Sequence, residues 1–117
     1  MAMNTICHIE YKVTDFDRAQ TFYGGLFGWT FRSFGDEMVV FGMGDQHIGG
    51  FEKAATIQPG NSPSVWFQVE SLDDACKRAE SLGGQVLKAA SPVPGVGFSA
   101  QVADLDGNPI GLVQFDS

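Results

Sequence analysis

Apolar and polar residues alternate from residue 6 to residue 14, the period of a strand with one buried face. The period then changes. Phe16, Ala19, Phe22, Tyr23 and Leu26 recur at helical spacing, which predicts a helix over residues 15–27. Asp15 can cap its start and Gly28 can end it. Gly24-Gly25 is unfavourable inside a helix and predicts a shortened or bent one. Strands are predicted near 29–34, 37–43 and 46–53. Residues 55–63, with Pro59, Gly60 and Pro63, read as a linker.

The same order of elements then returns. A strand is predicted at 64–70 and a helix from Ser71. Ser71-Leu72-Asp73-Asp74 has the character of a capping box, with acids at the positive helix end. Leu72, Ala75, Cys76, Ala79 and Leu82 form the apolar stripe, and Gly83-Gly84 stops it. Strands near 85–90, 97–104 and 109–115 follow, with a tight turn at Asp106-Gly107-Asn108. Sliding the chain against itself by 56 residues pairs Tyr11 with Phe67, Val13 with Val69, Phe16 with Leu72, Ala19 with Ala75 and Gly28 with Gly84. Near the ends an offset of 62 pairs Ile48-Gly49 with Ile110-Gly111, which implies a six-residue insertion in the second copy. The expected architecture is α+β: one domain over 1–117, built of two βαβββ modules at about 5–54 and 63–116.

Strand alternation also assigns faces. Cys7, Ile9, Tyr11 and Val13 should pack on the first helix, which leaves His8, Glu10 and Lys12 on the opposite face. In the second module Val65, Phe67 and Val69 face the helix, and Ser64, Trp66 and Gln68 face away. By the same rule His47, Gly49 and Phe51 share a face, and Ser99 and Gln101 alternate with Phe98, Ala100 and Val102. Each module thus sets a mixed polar and aromatic row opposite its helix, the character of a small-ligand site. Trp66 is the candidate stacking platform and Phe51 a second wall. Gln68, Ser99, Gln101, His47 and Lys12 are candidates for ligand hydrogen bonds. Trp66 is equally suited to filling space or packing at an interface. Trp29, which follows the helix stop, is expected in the core. Pro92 to Pro94 and Gly95-Val96-Gly97 predict a mobile loop or an ordinary turn.

Composition and charge narrow the field. Hydrophobic residues make up 44% of the 117, enough for a core, and charged residues only 18%. Seven basic residues against 14 acidic give a net charge of −7 with no basic run, which argues against nucleic acid and anionic membranes as partners. No apolar stretch reaches transmembrane length, and Met1 to Thr5 lacks a signal pattern. Cys7 and Cys76 make no disulfide framework and are expected as reduced, buried thiols of a cytoplasmic protein.

The run His8-Ile9-Glu10-Tyr11, then Val13-Thr14-Asp15-Phe16-Asp17-Arg18-Ala19, Phe22-Tyr23 and Phe27-Gly28-Trp29, resembles the opening of vicinal-oxygen-chelate proteins. That superfamily takes in glyoxalase I, extradiol dioxygenases and bleomycin-resistance proteins. Asp104-Leu105-Asp106-Gly107-Asn108-Pro109-Ile110-Gly111-Leu112 is similar to its final hairpin. The resemblance covers essentially the whole chain. It implies paired βαβββ modules forming a curved mixed sheet around a cup, and a homodimer. In metal-dependent members the ligands come from four strands. Carried over, those positions fall on His8, Ser64, Gly49 and Gly111. Only His8 is a competent transition-metal ligand.

Two functions follow as expectations. The first is metal-independent binding of a small, partly apolar molecule in the cup, with no cofactor. The alternative is a lyase-, isomerase- or dioxygenase-like enzyme. It would use either a divalent metal on a displaced set, His8, Glu10 and His47, or no metal, with His8 and Glu10 as tentative catalytic acid–base groups. The plain alternative for those residues is a hydrogen-bonded polar patch in which Lys12 pairs with Glu10.

Overall fold

The computed structural model describes residues 3–58, 60 and 62–116. Pro59 of the expected linker lies outside the described residues. The chain divides into two compact units, one of Cys7–Ser64 and one of Val65–Ser117 with Met1–Ile6.

The first unit holds β1 (Thr5–Val13), α1 (Phe16–Phe27), β2 (Thr30–Ser33), β3 (Met38–Met43) and β4 (Gln46–Lys53). Its strands lie in the order β2-β3-β4-β1. β1 runs parallel to β4, while β3 is antiparallel to β2 and β4. Asp15 Oδ1 accepts the Arg18 backbone N–H at 3.0 Å and starts α1. Gly28, at φ 75°, donates its N–H to Gly24 O at 2.8 Å and ends the helix in a left-handed cap. Gly24-Gly25 does not shorten α1, which runs unbroken to Phe27. A Cβ on Gly24 would stand 3.1 Å from the Phe31 ring, so the bare position lets helix and strand approach.

The core of this unit is aromatic. Val39, Phe41 and Phe51 are buried, with Tyr11, Val13, Phe16, Ala19, Tyr23, Trp29 and Phe31 packed on them. Trp29 stacks on Phe41 with centroids 4.5 Å apart and on Tyr23 at 5.6 Å, so its expected core place is the observed one. Phe22 and Leu26, expected on the buried stripe, are exposed at 61% and 59%.

The second unit holds β5 (Ser64–Gln68), α2 (Leu72–Ser81), β6 (Gln85–Val93), β7 (Gly97–Ala103) and β8 (Pro109–Phe115). The strand order is β5-β8-β7-β6, with β5 parallel to β8 and β7 antiparallel to both neighbours. Ser71 Oγ accepts the Asp74 N–H at 3.3 Å. The Leu72 N–H is taken instead by Gln114 Oε1 of β8, at 2.8 Å, which fastens the helix start to the sheet. Val69, Leu72, Ala100, Val102 and Leu112 form an aliphatic core. β6 is longer than expected, because bulges between Val86 and Ser91 let it keep pairing with β7 as far as Val93. Residues 92–97 are therefore a tight β6–β7 hairpin, closed by Val96 N–H to Val93 O at 2.9 Å, in place of a loop. The Asp104–Asn108 turn is held by Asp104 Oδ1, which accepts from Asp106 N and Asn108 N, both at 2.9 Å. Cys7 and Cys76 are half-buried thiols, and burial raises the pKa of each.

Candidate functional site

Register decides which residues share a face. In the first unit Glu10 pairs with Gly50 and Lys12 with Glu52. A Cβ on Gly50 would meet His8 Cε1 at 3.4 Å and Met38 Sδ at 3.3 Å, so Gly50 opens on the His8 face. A Cβ on Gly49 would run into the Ile9 carbonyl and toward the Phe41 ring, which belongs to the core. The β3–β4 register shifts beside Phe41 and Gly42: Gly42 pairs with His47, but Phe41 with Gly49. The extra residue, Ile48, resets the alternation of β4. His47 therefore stands with His8, and Phe51 turns the other way.

This corrects two expectations. Phe51 is 0% exposed in the α1 core and cannot wall a ligand site. Gly50, rather than Gly49, is the counterpart of Gly111, because Glu10 pairs with Gly50 as its repeat partner Trp66 pairs with Gly111. Lys12 also has a different partner. Its Nζ donates to Glu52 Oε1 at 3.0 Å, as direct cross-strand neighbours can, and not to Glu10.

His8, Glu10 and His47 come together as a line. His8 Nδ1 lies 2.8 Å from His47 Nε2, and His8 Nε2 lies 3.4 Å from Glu10 Oε1. The two imidazoles are nearly parallel, with centroids 5.1 Å apart. The His8 and Glu10 side chains are 18% and 16% exposed, and His47 is exposed. Partial burial, then the neighbouring His8 and Arg32, lower the His47 pKa below that of an ordinary histidine.

In the second unit the face opposite the α2 core carries two cross-strand rows. Trp66 pairs with Gly111 and Gly111 with Gln101. Gln68 pairs with Val113 and Val113 with Ser99. Trp66, Gln68, Ser99 and Gln101 thus share one side of the sheet. Gly111 is required there: a Cβ on it would fall inside the Trp66 indole. Gln68 is buried, and its Oε1 has no hydrogen-bond partner among the described residues. Alternation alone placed Trp66 and Gln101 on this face. The seat that Gly111 makes for the indole is visible only in the register.

A shallow recess of about 440 Å³ opens beside α1, lined among others by Thr14, Asp15, Arg18, Phe22 and Ile57. It takes in Lys12 but none of His8, Glu10 or His47. Apart from Lys12, sequence reasoning did not single out its lining, which depends on Phe22 facing outward.

Over residues 5–112 the chain matches the model of the Glyoxalase/Bleomycin resistance protein/Dioxygenase superfamily, and it belongs to that family. It is 30% identical over 95 residues to the putative glyoxylase CFP32 of Mycobacterium bovis and of Mycobacterium tuberculosis. That match takes in 78% of this chain, which spans only 36% of those relatives. Among the solved structures that share the fold, two illustrate the likeness. One is the hypothetical protein BH1468 from Bacillus halodurans C-125, at TM-score 0.79 and 14% identity, covering 99% of this chain and 97% of that one. The other is methylmalonyl-CoA epimerase from Mycobacterium tuberculosis, at TM-score 0.74 and 16% identity, covering 100% and 93%.

The residues do not fit the metal that the family resemblance implies. Gly50 and Gly111 bring no donor, and the Trp66 indole covers Gly111. Both ring nitrogens of His8 already face partners, His47 and Glu10. The displaced set His8, Glu10 and His47 is strung in a line instead of converging on a point. Among the described residues no group of three or more His, Cys, Asp or Glu is arranged to hold a metal ion. Among them, too, no helix is long and apolar enough to cross a membrane.

Proposed function

We propose that this protein binds a small, partly apolar molecule without the help of a metal ion. The observation that carries the reading is the indole of Trp66 lying on Gly111, flanked across the strands by Gln101. An aromatic surface stands where a metal-dependent relative would place an acidic ligand. Gln68 and Ser99 lie in the next row and supply neutral hydrogen-bonding groups. Quenching of tryptophan fluorescence by naphthalene derivatives tests the proposal. Quenching that disappears in Trp66→Phe supports it, and no quenching by any apolar aromatic compound would count against it. Trp29 serves as internal control, because it is stacked in the core.

A second reading has its own observation. The Glu10–His8–His47 line has the form of an acid–base relay, which suits a metal-free isomerase or lyase. Turnover lost in both Glu10→Gln and His8→Asn, with ligand binding kept, would favour it. A homodimer and a cytoplasmic location complete the proposal. Family resemblance supports the first, and light scattering of the purified chain tests it. The absence of a disulfide framework supports the second.

A further inference from the structure

We propose that the recess beside α1 is a small-molecule site in its own right, and that it takes an aromatic ring carrying a single carboxylate. The inference is independent of the Trp66 reading, because every residue lining the recess belongs to Cys7–Ser64. Its volume of about 440 Å³ falls within the usual range of small-ligand clefts. Its apolar lining is left in water. Phe22, on α1, is 61% exposed, and Ile57, in the segment after β4, is 43% exposed. A ring laid on them removes apolar surface of both partners from water. Arg18 precedes Phe22 by four residues on α1, so its side chain stands on the same helix face, one turn earlier. The charges then narrow the ligand. The charged residues of the lining are Lys12, Asp15 and Arg18. Lys12 is paired with Glu52 at 3.0 Å. The Asp15 carboxylate accepts the Arg18 backbone N–H and sits at the positive start of α1. The Arg18 guanidinium makes one long contact, to Thr14 Oγ1 at 3.5 Å, and pairs with no carboxylate among the described residues. A planar donor fork beside an apolar wall fits one carboxylate attached to a ring. A phosphate monoester would bring further negative charge toward Asp15 and Glu52, with no second unpaired cation in the lining to meet it.

The test titrates the labelled full chain near neutral pH with 2-naphthoate and with 2-naphthamide, which keeps the rings and lacks the charge. Nitrogen–proton NMR spectra locate the binding. Shifts are expected at the backbone amides of Thr14, Arg18, Phe22 and Ile57. The affinity read at those amides should be about fivefold tighter for the naphthoate, the effect of one exposed charge pair. Arg18→Gln should make the two compounds equal there. Phe22→Ala should weaken both about fivefold, through lost apolar contact. Both side chains are exposed, and unshifted amides at Phe41 and Phe51 would show that the core is intact. Ile57→Ser, at a position outside every helix and strand, takes the place of Phe22→Ala if that core is disturbed. Equal affinities in the wild type, or a preference for naphthoate that survives Arg18→Gln, would overturn the inference. Shifts confined to Trp66 and Gln101 would overturn it as well and leave the Trp66 reading standing.

Discussion

Phe51 in the first unit and Leu112 in the second hold the same place in their sheets, opposite Tyr11 and Phe67 of the parallel neighbour. Both are buried. Around Phe51 the packing is a set of stacked rings, Tyr23, Trp29 and Phe41 among them. Around Leu112 it is mostly aliphatic, with valine, alanine, leucine and isoleucine beside the ring of Phe67. The opposite faces diverge further. Glu10, opposite Gly50, ends a hydrogen-bonded line with His8 and His47, whereas their counterparts Trp66 and Gly111 make an aromatic seat. One backbone plan has been filled twice, with different chemistry each time. The difference teaches that the repeat specifies element order and pairing, while the residues the copies do not share set the chemistry of each face.

The contrast can be broken most forcefully in the cores. Phe51→Ala should cost about 4 kcal/mol and Leu112→Ala about 3 kcal/mol in urea unfolding, since both leave cavities and the aromatic one is larger. Equal losses would mean that the first core relaxes around the hole. The glycine pair comes next. Gly111→Ala must displace an indole, whereas at Gly50 a new methyl meets the flexible end of Met38, the edge of His8 and the Val39 carbonyl, none nearer than 3.3 Å. The first should therefore be more destabilising by about 1–2 kcal/mol. The helix caps should show no such asymmetry. Asp15→Ala and Ser71→Ala should each cost about 1 kcal/mol, measured by thermal unfolding.

The smallest effect concerns pH. The chain has two histidines, and both lie in the first unit. Because the folded state lowers the His47 pKa, the unfolded chain binds a proton first as the medium acidifies. Stability is therefore full above about pH 6.5 and falls as the pH drops from there toward the lowered value. His47→Gln should flatten that slope. An unchanged slope would mean that another group carries it.

Much of the fold was legible in the residues. Asp15, Gly28 and Ser71 announce their caps because capping is local, and the period changes mark every element. The polar row of β1 and the place of Trp66 also follow from alternation. The rest depended on register. A bulge beside Gly42 is invisible in a single strand, yet it turned Phe51 inward, brought His47 to His8 and put Gly50 where Gly49 was expected. The partner of Lys12 is a matter of pairing between strands 40 residues apart, which no local pattern encodes. The length of β6 likewise depends on bulges that keep Pro92 at an edge.

The proposed binding uses the chain's own side chains and no metal. The most direct test is 2-naphthol affinity before and after exhaustive chelation, with metal content measured on the same samples. The predicted result is an unchanged affinity. Binding that is lost on chelation, restored by one equivalent of manganese, zinc, nickel or iron, and absent in His8→Ala would contradict the account.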